Sequence, residues 1–207
     1  MAVADTAEGR ERLAETFAEA VAAVERAQLD YVLIGGIASS ILGRPRFTYD
    51  IDFFVRQPDA QLVLTALGGA GFETEETNPA WIYKAHKRDV TVDVIFWLTG
   101  DIYLDDEMLR RASRLDFDGT SVNVIAPEDL VVIKAIVHDE QSSRHWHDAL
   151  AIVADRELDW EYLALRARHG ARRVLSLLIY AQSNDLVVRD DAIASLYQVV
   201  YGPAPSP

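Results

Sequence analysis

The sequence predicts an α+β (α/β) chain: a mixed β-sheet flanked by helices, followed by an all-helical C-terminal subdomain. Three observations carry this. Up to Ile125, short β-rich apolar runs are interleaved with helical periods, as in sheet domains covered by helices. Beyond Pro127 every local signal is helical. The composition, 50% hydrophobic and 26% charged, is that of a globular chain, and 207 residues suffice for a compact core with a helical appendage.

The elements follow in order. Leu13, Phe17, Val21 and Val24 recur at steps of three and four, predicting a helix from about Ala7 to Gln28. Tyr31 to Ile34 is a short apolar run that stops at Gly35-Gly36, a buried strand. Ile37 to Leu42, ended by Gly43, fits a short helix. Arg44 to Phe47 reads as a loop, and Thr48 to Val55 as a strand alternating acids with Tyr49, Ile51 and Phe53. Pro58 opens a helix through Leu67. Trp81 to His86 and Val90 to Trp97 are β-rich and separated by Lys87-Arg88-Asp89, a predicted hairpin. Leu104 to Ala112 is helical and Ser121 to Ile125 a last strand. Pro127 then suits a first helical turn, with Glu128 and Asp129 at its positive end. Further helices are predicted over about 128–138, 144–154, 160–169, 172–182 and 191–201. The resulting organisation is residues 1–126 as the core with its N-terminal helix, 127–202 as the helical subdomain, and 203–207 as a disordered tail. There is no internal repeat.

The charge narrows the partners. Formal net charge is −13, with 12 Lys and Arg against 21 Asp and Glu up to Ala126, and 8 against 12 after it. Broad phosphate-backbone binding calls for a basic face, so a general nucleic-acid binder is disfavoured. One basic cluster, Arg166, Arg168, Arg172 and Arg173, keeps an RNA-facing patch open. The absence of cysteine excludes disulfides, a thiol nucleophile and thiolate metal sites. No run approaches the ~20 apolar residues of a membrane span, and the start of the chain is polar and acidic, unlike a signal peptide. A cytoplasmic protein without membrane contact is expected.

The chemistry concentrates around Gly35-Gly36 and Thr48-Tyr49-Asp50-Ile51-Asp52. On a strand, Asp50 and Asp52 share one face, with Cα atoms ~6.6–7 Å apart from two steps of ~3.3 Å. Carboxylates so placed can converge on a hard cation, or on two Mg²⁺ ions ~3.5–4 Å apart. Asp93 lies within the otherwise apolar run Val92-Asp93-Val94-Ile95 and, if buried, needs a partner. Beside Asp50 and Asp52 across a sheet it would complete a three-carboxylate metal site. Gly35 and Gly36, between strand and helix, allow backbone N–H groups to approach an anion. Ser39 and Ser40 can add hydroxyl donors, and Arg44 and Arg46 charge-assisted bonds to phosphate.

Gly-Gly, a short helix, Thr-x-Asp-x-Asp and a later Asp resemble the DNA polymerase β-type nucleotidyltransferase superfamily. Gly35-Gly36-Ile37-Ala38 and Arg44-Pro45-Arg46-Phe47-Thr48-Tyr49-Asp50-Ile51-Asp52 are most similar to its small bacterial branch, which includes abortive-infection and type IV toxin–antitoxin nucleotidyltransferases. Pro127-Glu128-Asp129-Leu130, Lys134, Arg144 and Asp148 resemble that branch's C-terminal helices. The resemblance spans roughly 31–152. It implies a nucleotidyltransferase-type fold and transfer of NMP from an NTP, ATP included, to an acceptor hydroxyl of a small molecule, a protein or an RNA 3′ end. It implies Asp50 and Asp52 as ligands of two Mg²⁺ ions, with Mn²⁺ a substitute, and Asp93 as ligand of the catalytic metal and acceptor of the attacking proton. Gly35, Gly36, a serine, Thr48 and Lys134 would hold the phosphates, and the resemblance leaves an antitoxin protein open as a partner. The chain departs from the branch at His145, which stands where a carboxylate is common.

Plainer readings exist for each feature. Paired acids also protect edge strands. Arg44, Arg46 and Lys134 can be ordinary solvated charges. His138, His145 and His147 suggest a metal cluster, but alternate helical positions face different ways. A non-catalytic nucleotide sensor or interaction module on the same fold is the alternative to an enzyme. A glycosyltransferase using Asp-x-Asp ranks last, because too little chain precedes Asp50.

Overall fold

The computed structural model describes residues 7–139, 141 and 143–202; the tail expected at 203–207 lies outside them. The chain divides into two compact units. One comprises Met1–Ile41, Pro45–Leu98 and Ile102–Ala126; the other comprises Leu42–Arg44, Thr99–Asp101 and Pro127–Pro207.

The first unit contains α1 (Ala7–Arg26), β1 (Tyr31–Leu33), α2 (Gly35–Leu42), β2 (Asp50–Val55), α3 (Ala60–Gly69), β3 (Glu73–Asn78), β4 (Ile82–Lys87), β5 (Val90–Ile95), α4 (Asp106–Arg111), β6 (Ser113–Phe117) and β7 (Thr120–Val124). Its seven strands form one mixed sheet in the order β3-β4-β5-β2-β1-β7-β6. The β2–β5 and β1–β7 pairs are parallel and the others antiparallel.

Side-chain alternation makes the two faces of the sheet unlike. Ile51, Phe53, Val92, Val94 and Ala85 share one face and are fully buried. Lys87, on that same face, reaches Glu19 of α1 at 2.7 Å, so α1 covers this side. From α1, Phe17, Val21 and Val24 supply the matching apolar stripe. The opposite face of β2 and β5 carries Asp50, Asp52 and Asp93, and gives way to the buried Phe54 and Ile95 further along.

Turn chemistry sets the hairpin registers. Arg88 and Asp89 both take positive φ (52° and 62°), the backbone of a tight two-residue turn, and β4 and β5 pair outward from Lys87 and Val90. Asp118 and Gly119 do the same between β6 and β7.

Several boundaries differ from the sequence expectations. The α2 helix begins at Gly35 itself, not at Ile37. Pro58 lies in a 3₁₀ turn (Gln57–Asp59), and α3 follows from Ala60 through Gly68 and Gly69. Strands β3 and β6 were not expected. The first, Glu-Thr-Glu-Glu-Thr-Asn, is exposed at every position on the sheet edge, so it has no apolar alternation to reveal it.

The second unit is helical: α5 (Pro127–Val137), α6 (Arg144–Asp155), α7 (Trp160–Arg166), α8 (Ala171–Ser183) and α9 (Asp190–Tyr201). Its centre is α5, which is buried from Glu128 to Ile136 and packs against α6, α7 and α8. Polar residues on this buried helix are paired. Asp129 Oδ2 accepts from Tyr162 Oη at 2.7 Å, and Asp129 Oδ1 forms an ion pair with Arg166 Nε at 2.7 Å. Among the described residues no helix is long and apolar enough to cross a membrane.

Candidate active site

Strand register assembles the site. In the parallel β2–β5 pair, Asp52 is the direct partner of Asp93 and Asp50 the partner of Thr91. The three carboxylates therefore lie on one sheet face, in adjacent rows. In the antiparallel β4–β5 pair, Lys84 lies opposite Asp93 and His86 opposite Thr91. The face reads as two polar rows, Lys84–Asp93–Asp52 and His86–Thr91–Asp50. Lys84 Nζ donates to Asp93 Oδ1 at 2.6 Å, with side chains 30% and 15% exposed. In the second row Thr91 Oγ1 lies 3.3 Å from His86 Nδ1.

Asp93 thus has the partner its half-buried position requires, and that partner is a lysine on the next strand. Lys84 and His86 were not expected from sequence. A two-residue turn at Arg88-Asp89 fixes Lys84 opposite Asp93, so the turn was the signal that could have found it.

The Gly35-Gly36 turn is packed against this face. Gly35 takes φ +67°, and a Cβ there would stand 1.9 Å from Asp52 Oδ2. At Gly36 a Cβ would stand 2.4 Å from Thr48 Oγ1 and 3.2 Å from Arg46 Nη2. Glycine is therefore required at both positions, first for backbone conformation and then for close approach. The Gly36 N–H donates to Asp52 Oδ2 at 3.3 Å. Gly35, Gly36, Arg46, Thr48 and Asp52 form one cluster, with Asp50 and Asp93 on the adjoining strand face.

The two serines serve the fold. Ser39 is 1% exposed and its hydroxyl donates to Gly35 O at 2.7 Å. That corrects the expectation that it faces a phosphate: it steadies the first turn of α2 instead. Ser40 Oγ donates to Arg46 O and accepts from Arg46 N, both at 2.9 Å, so it ties the loop that carries Arg46 to α2. Beside these residues a cavity of about 540 Å³ is lined in part by Ser40, Arg46, Phe47, Thr48, Asp116 and Phe117. Arg10 lies over the Phe47 ring, 4.3 Å from its centroid.

The remaining sequence candidates belong to the helical unit. Arg44 is exposed. Lys134 is buried and bonded to Asp148 Oδ2 at 2.9 Å. Burial, with the charges of Lys134 and Arg144, pushes the His145 imidazole down to about 4. His138 packs on Trp146, ring centroids 4.9 Å apart. The four arginines do not make one patch: Arg166 is buried on Asp129, while Arg168, Arg172 and Arg173 are exposed.

Among the described residues, no three His, Asp or Glu side chains are drawn close enough together to hold an ion as they stand. This applies to the histidines of α5 and α6 as well as to the aspartates. The donor chemistry of the aspartate face nonetheless fits a hard divalent cation: oxygen ligands on directly paired strands, which a cation can draw inward by side-chain rotation. Asp93 Oδ1 is held by Lys84, so the ammonium stands beside any ion that Asp93 would help to hold.

Residues 13–169 match the family described as Nucleotidyl transferase of unknown function (DUF2204). No curated protein matches the chain in sequence. Among solved structures the chain is similar to ANT(2'')-Ia in complex with adenylyl-2''-tobramycin, at TM-score 0.53 and 17% identity, over 84% of this chain and 99% of that one. It is similar to the antibiotic-resistance factor ANT(2'')-Ia in solution, at TM-score 0.51 and 16% identity, over 84% and 94% of the two chains. It is also similar to an antigenic nucleotidyltransferase-like protein from Paracoccidioides brasiliensis, at TM-score 0.50 and 15% identity, over 91% and 96%. At such identities the likeness is one of fold.

Proposed function

The chain belongs to the nucleotidyl transferase family of unknown function (DUF2204), and from that premise we propose that it transfers a nucleoside monophosphate from an NTP to an acceptor hydroxyl with the help of Mg²⁺. The carrying observation is the direct pairing of Asp52 with Asp93 on the face against which Gly35-Gly36 packs. In this reading the acceptor oxygen attacks the α-phosphorus, the bond to the bridging oxygen breaks, and pyrophosphate leaves. Asp50, Asp52 and Asp93 hold the metal, and Asp93 stands on the side where the acceptor proton is released. Bound there, Mg²⁺ supplies charge neutralisation and alignment of the phosphate oxygens. The Gly36 N–H, Thr48 hydroxyl and Arg46 guanidinium hold the phosphates. The cavity beside Thr48 has the size of a small-molecule site and receives the nucleoside.

The acceptor is a small molecule or a protein hydroxyl rather than RNA. The net charge of −13 and the burial of Arg166 support this, because RNA 3′ ends are recruited by basic faces. Transfer to RNA would instead fit the toxin of a toxin–antitoxin pair.

The test is incubation with each α-labelled NTP, Mg²⁺ and a cell extract, followed by separation of RNA, protein and small molecules. Label in one fraction, absent with Asp93→Asn, is the expected result. Binding of Mg-NTP without label in any fraction would replace the enzyme by a nucleotide-binding module.

A further inference from the structure

The ammonium of Lys84 is bonded to a carboxylate that the proposed chemistry needs for a metal. This is not an incidental surface pair. Lys84 and Asp93 are direct register partners, both are more than two-thirds buried, and their bond is 2.6 Å. Lys84 also ends the row Lys84–Asp93–Asp52, so its charge lies on the line of the carboxylates. In the next row His86 faces Thr91 rather than a carboxylate. On the other side of the site Arg46 lies by Gly36.

We propose that Lys84 is a built-in competitor for the metal at Asp93, which makes uptake of a divalent cation depend on simultaneous binding of a nucleotide triphosphate. This rests on the reading of Asp50, Asp52 and Asp93 as metal ligands. Two cations cannot share Asp93 without repulsion. A divalent ion arriving alone meets the ammonium already bonded to Asp93 Oδ1, and must either displace it or bind beside it against its charge. A triphosphate arriving with the ion supplies oxygens to which the ammonium can transfer. Lys84 then adds its charge to the phosphate side, and Asp93 turns to the metal. The face thus avoids loading with metal before the donor nucleotide is present. No bond is made or broken except the exchange of the Lys84–Asp93 ion pair.

Mn²⁺ binding tests this directly, read by electron paramagnetic resonance of the free ion and by calorimetry. The arms are wild type, Lys84→Met and Lys84→Arg, each with and without α,β-methylene-ATP, which cannot transfer its nucleotide. Wild type and Lys84→Arg should bind Mn²⁺ weakly alone and strongly with the analogue. Lys84→Met should bind Mn²⁺ alone roughly thirtyfold more tightly than wild type, the size of the Coulomb penalty between an ammonium and a divalent ion at about 4 Å in water. Its dependence on the analogue should shrink by a similar factor. Circular dichroism checks folding; if the methionine variant unfolds, Lys84→Gln, neutral but still able to bond Asp93, takes its place. Unchanged Mn²⁺ affinity in the neutral variant, with analogue-dependent binding intact in wild type, overturns the role of Lys84 alone. Absence of Mn²⁺ binding in every arm overturns the metal site itself, and the role of Lys84 with it.

Discussion

Asp52 occupies the space that a side chain on Gly35 would need: its Oδ2 lies 1.9 Å from where a Cβ would be. The glycine backbone, at φ +67°, and the carboxylate are therefore one fitted unit, each excluding a change in the other.

Gly35→Ala should for this reason act on both stability and function. The left-handed backbone costs an L-residue about 1–2 kcal/mol, and the clash adds to it by pushing Asp52 from its place. We expect a lower melting temperature, together with loss of the stabilisation by Mg-NTP expected of the wild type. A variant melting like wild type in both conditions would mean that the turn rebuilds freely and that Asp52 is not held by it.

Asp93→Asn separates binding from turnover. Asp50 and Asp52 remain to hold metal and nucleotide, so Mg-NTP should still raise the melting temperature, by less than in wild type. Transfer should be abolished, because the ligand on the acceptor side is gone. Asp52→Asn should weaken both together. Nucleotide transfer at the wild-type rate by Asp93→Asn would reduce Asp93 to a partner of Lys84. Thermal shift and labelled transfer, run on the same preparations, decide between these.

Much of this site is legible in sequence because it rests on local rules. Period-two alternation puts Asp50 and Asp52 on one face, and Gly35-Gly36 marks a close backbone approach. What is not legible depends on tertiary pairing. Nothing local says that Ser39 turns inward to Gly35 O, since an exposed and a buried serine look alike in a short apolar helix. Strand β3 escapes because an edge strand of acids and threonines has no buried face to pattern it. Lys84 is an intermediate case: its pairing follows from turn length, but only once the turn is taken as two residues. Asp118-Gly119 carried the same kind of signal for β6, a strand too mixed in composition to stand out alone.

Lys134 and Asp148 form a buried pair, 2.9 Å apart with side chains 4% and 6% exposed. Removing one member leaves the other charged and buried, which costs about 3–5 kcal/mol, whereas replacing a pair by apolar groups is often neutral. Asp148→Ala should therefore lower the urea midpoint strongly. The double variant Lys134→Met with Asp148→Leu should recover most of that loss. Recovery of stability with nucleotide binding still impaired would assign Lys134 a phosphate role besides its structural one. Recovery of both would leave it a purely structural residue.

His145 gives the helical unit a pH dependence whose sign can be worked out. Burial, with Lys134 and Arg144 nearby, lowers its pKa from the ordinary 6.5 to about 4. In the folded protein the imidazole is thus neutral over a range in which the unfolded chain takes up a proton. Stability rises with pH wherever the unfolded state binds more protons. The contribution of His145 is therefore complete above pH 6.5 and is lost progressively as pH falls toward 4. His145→Gln removes this titration while keeping a polar side chain of similar reach. Urea unfolding of wild type and variant at pH 7.5, 6 and 5 should show the wild type losing more stability than the variant on acidification. Carboxylate titration is common to both proteins and cancels in the difference. Parallel pH profiles would mean that His145 protonates as readily folded as unfolded, and that its surroundings in α5 and α6 are wetter than their packing indicates.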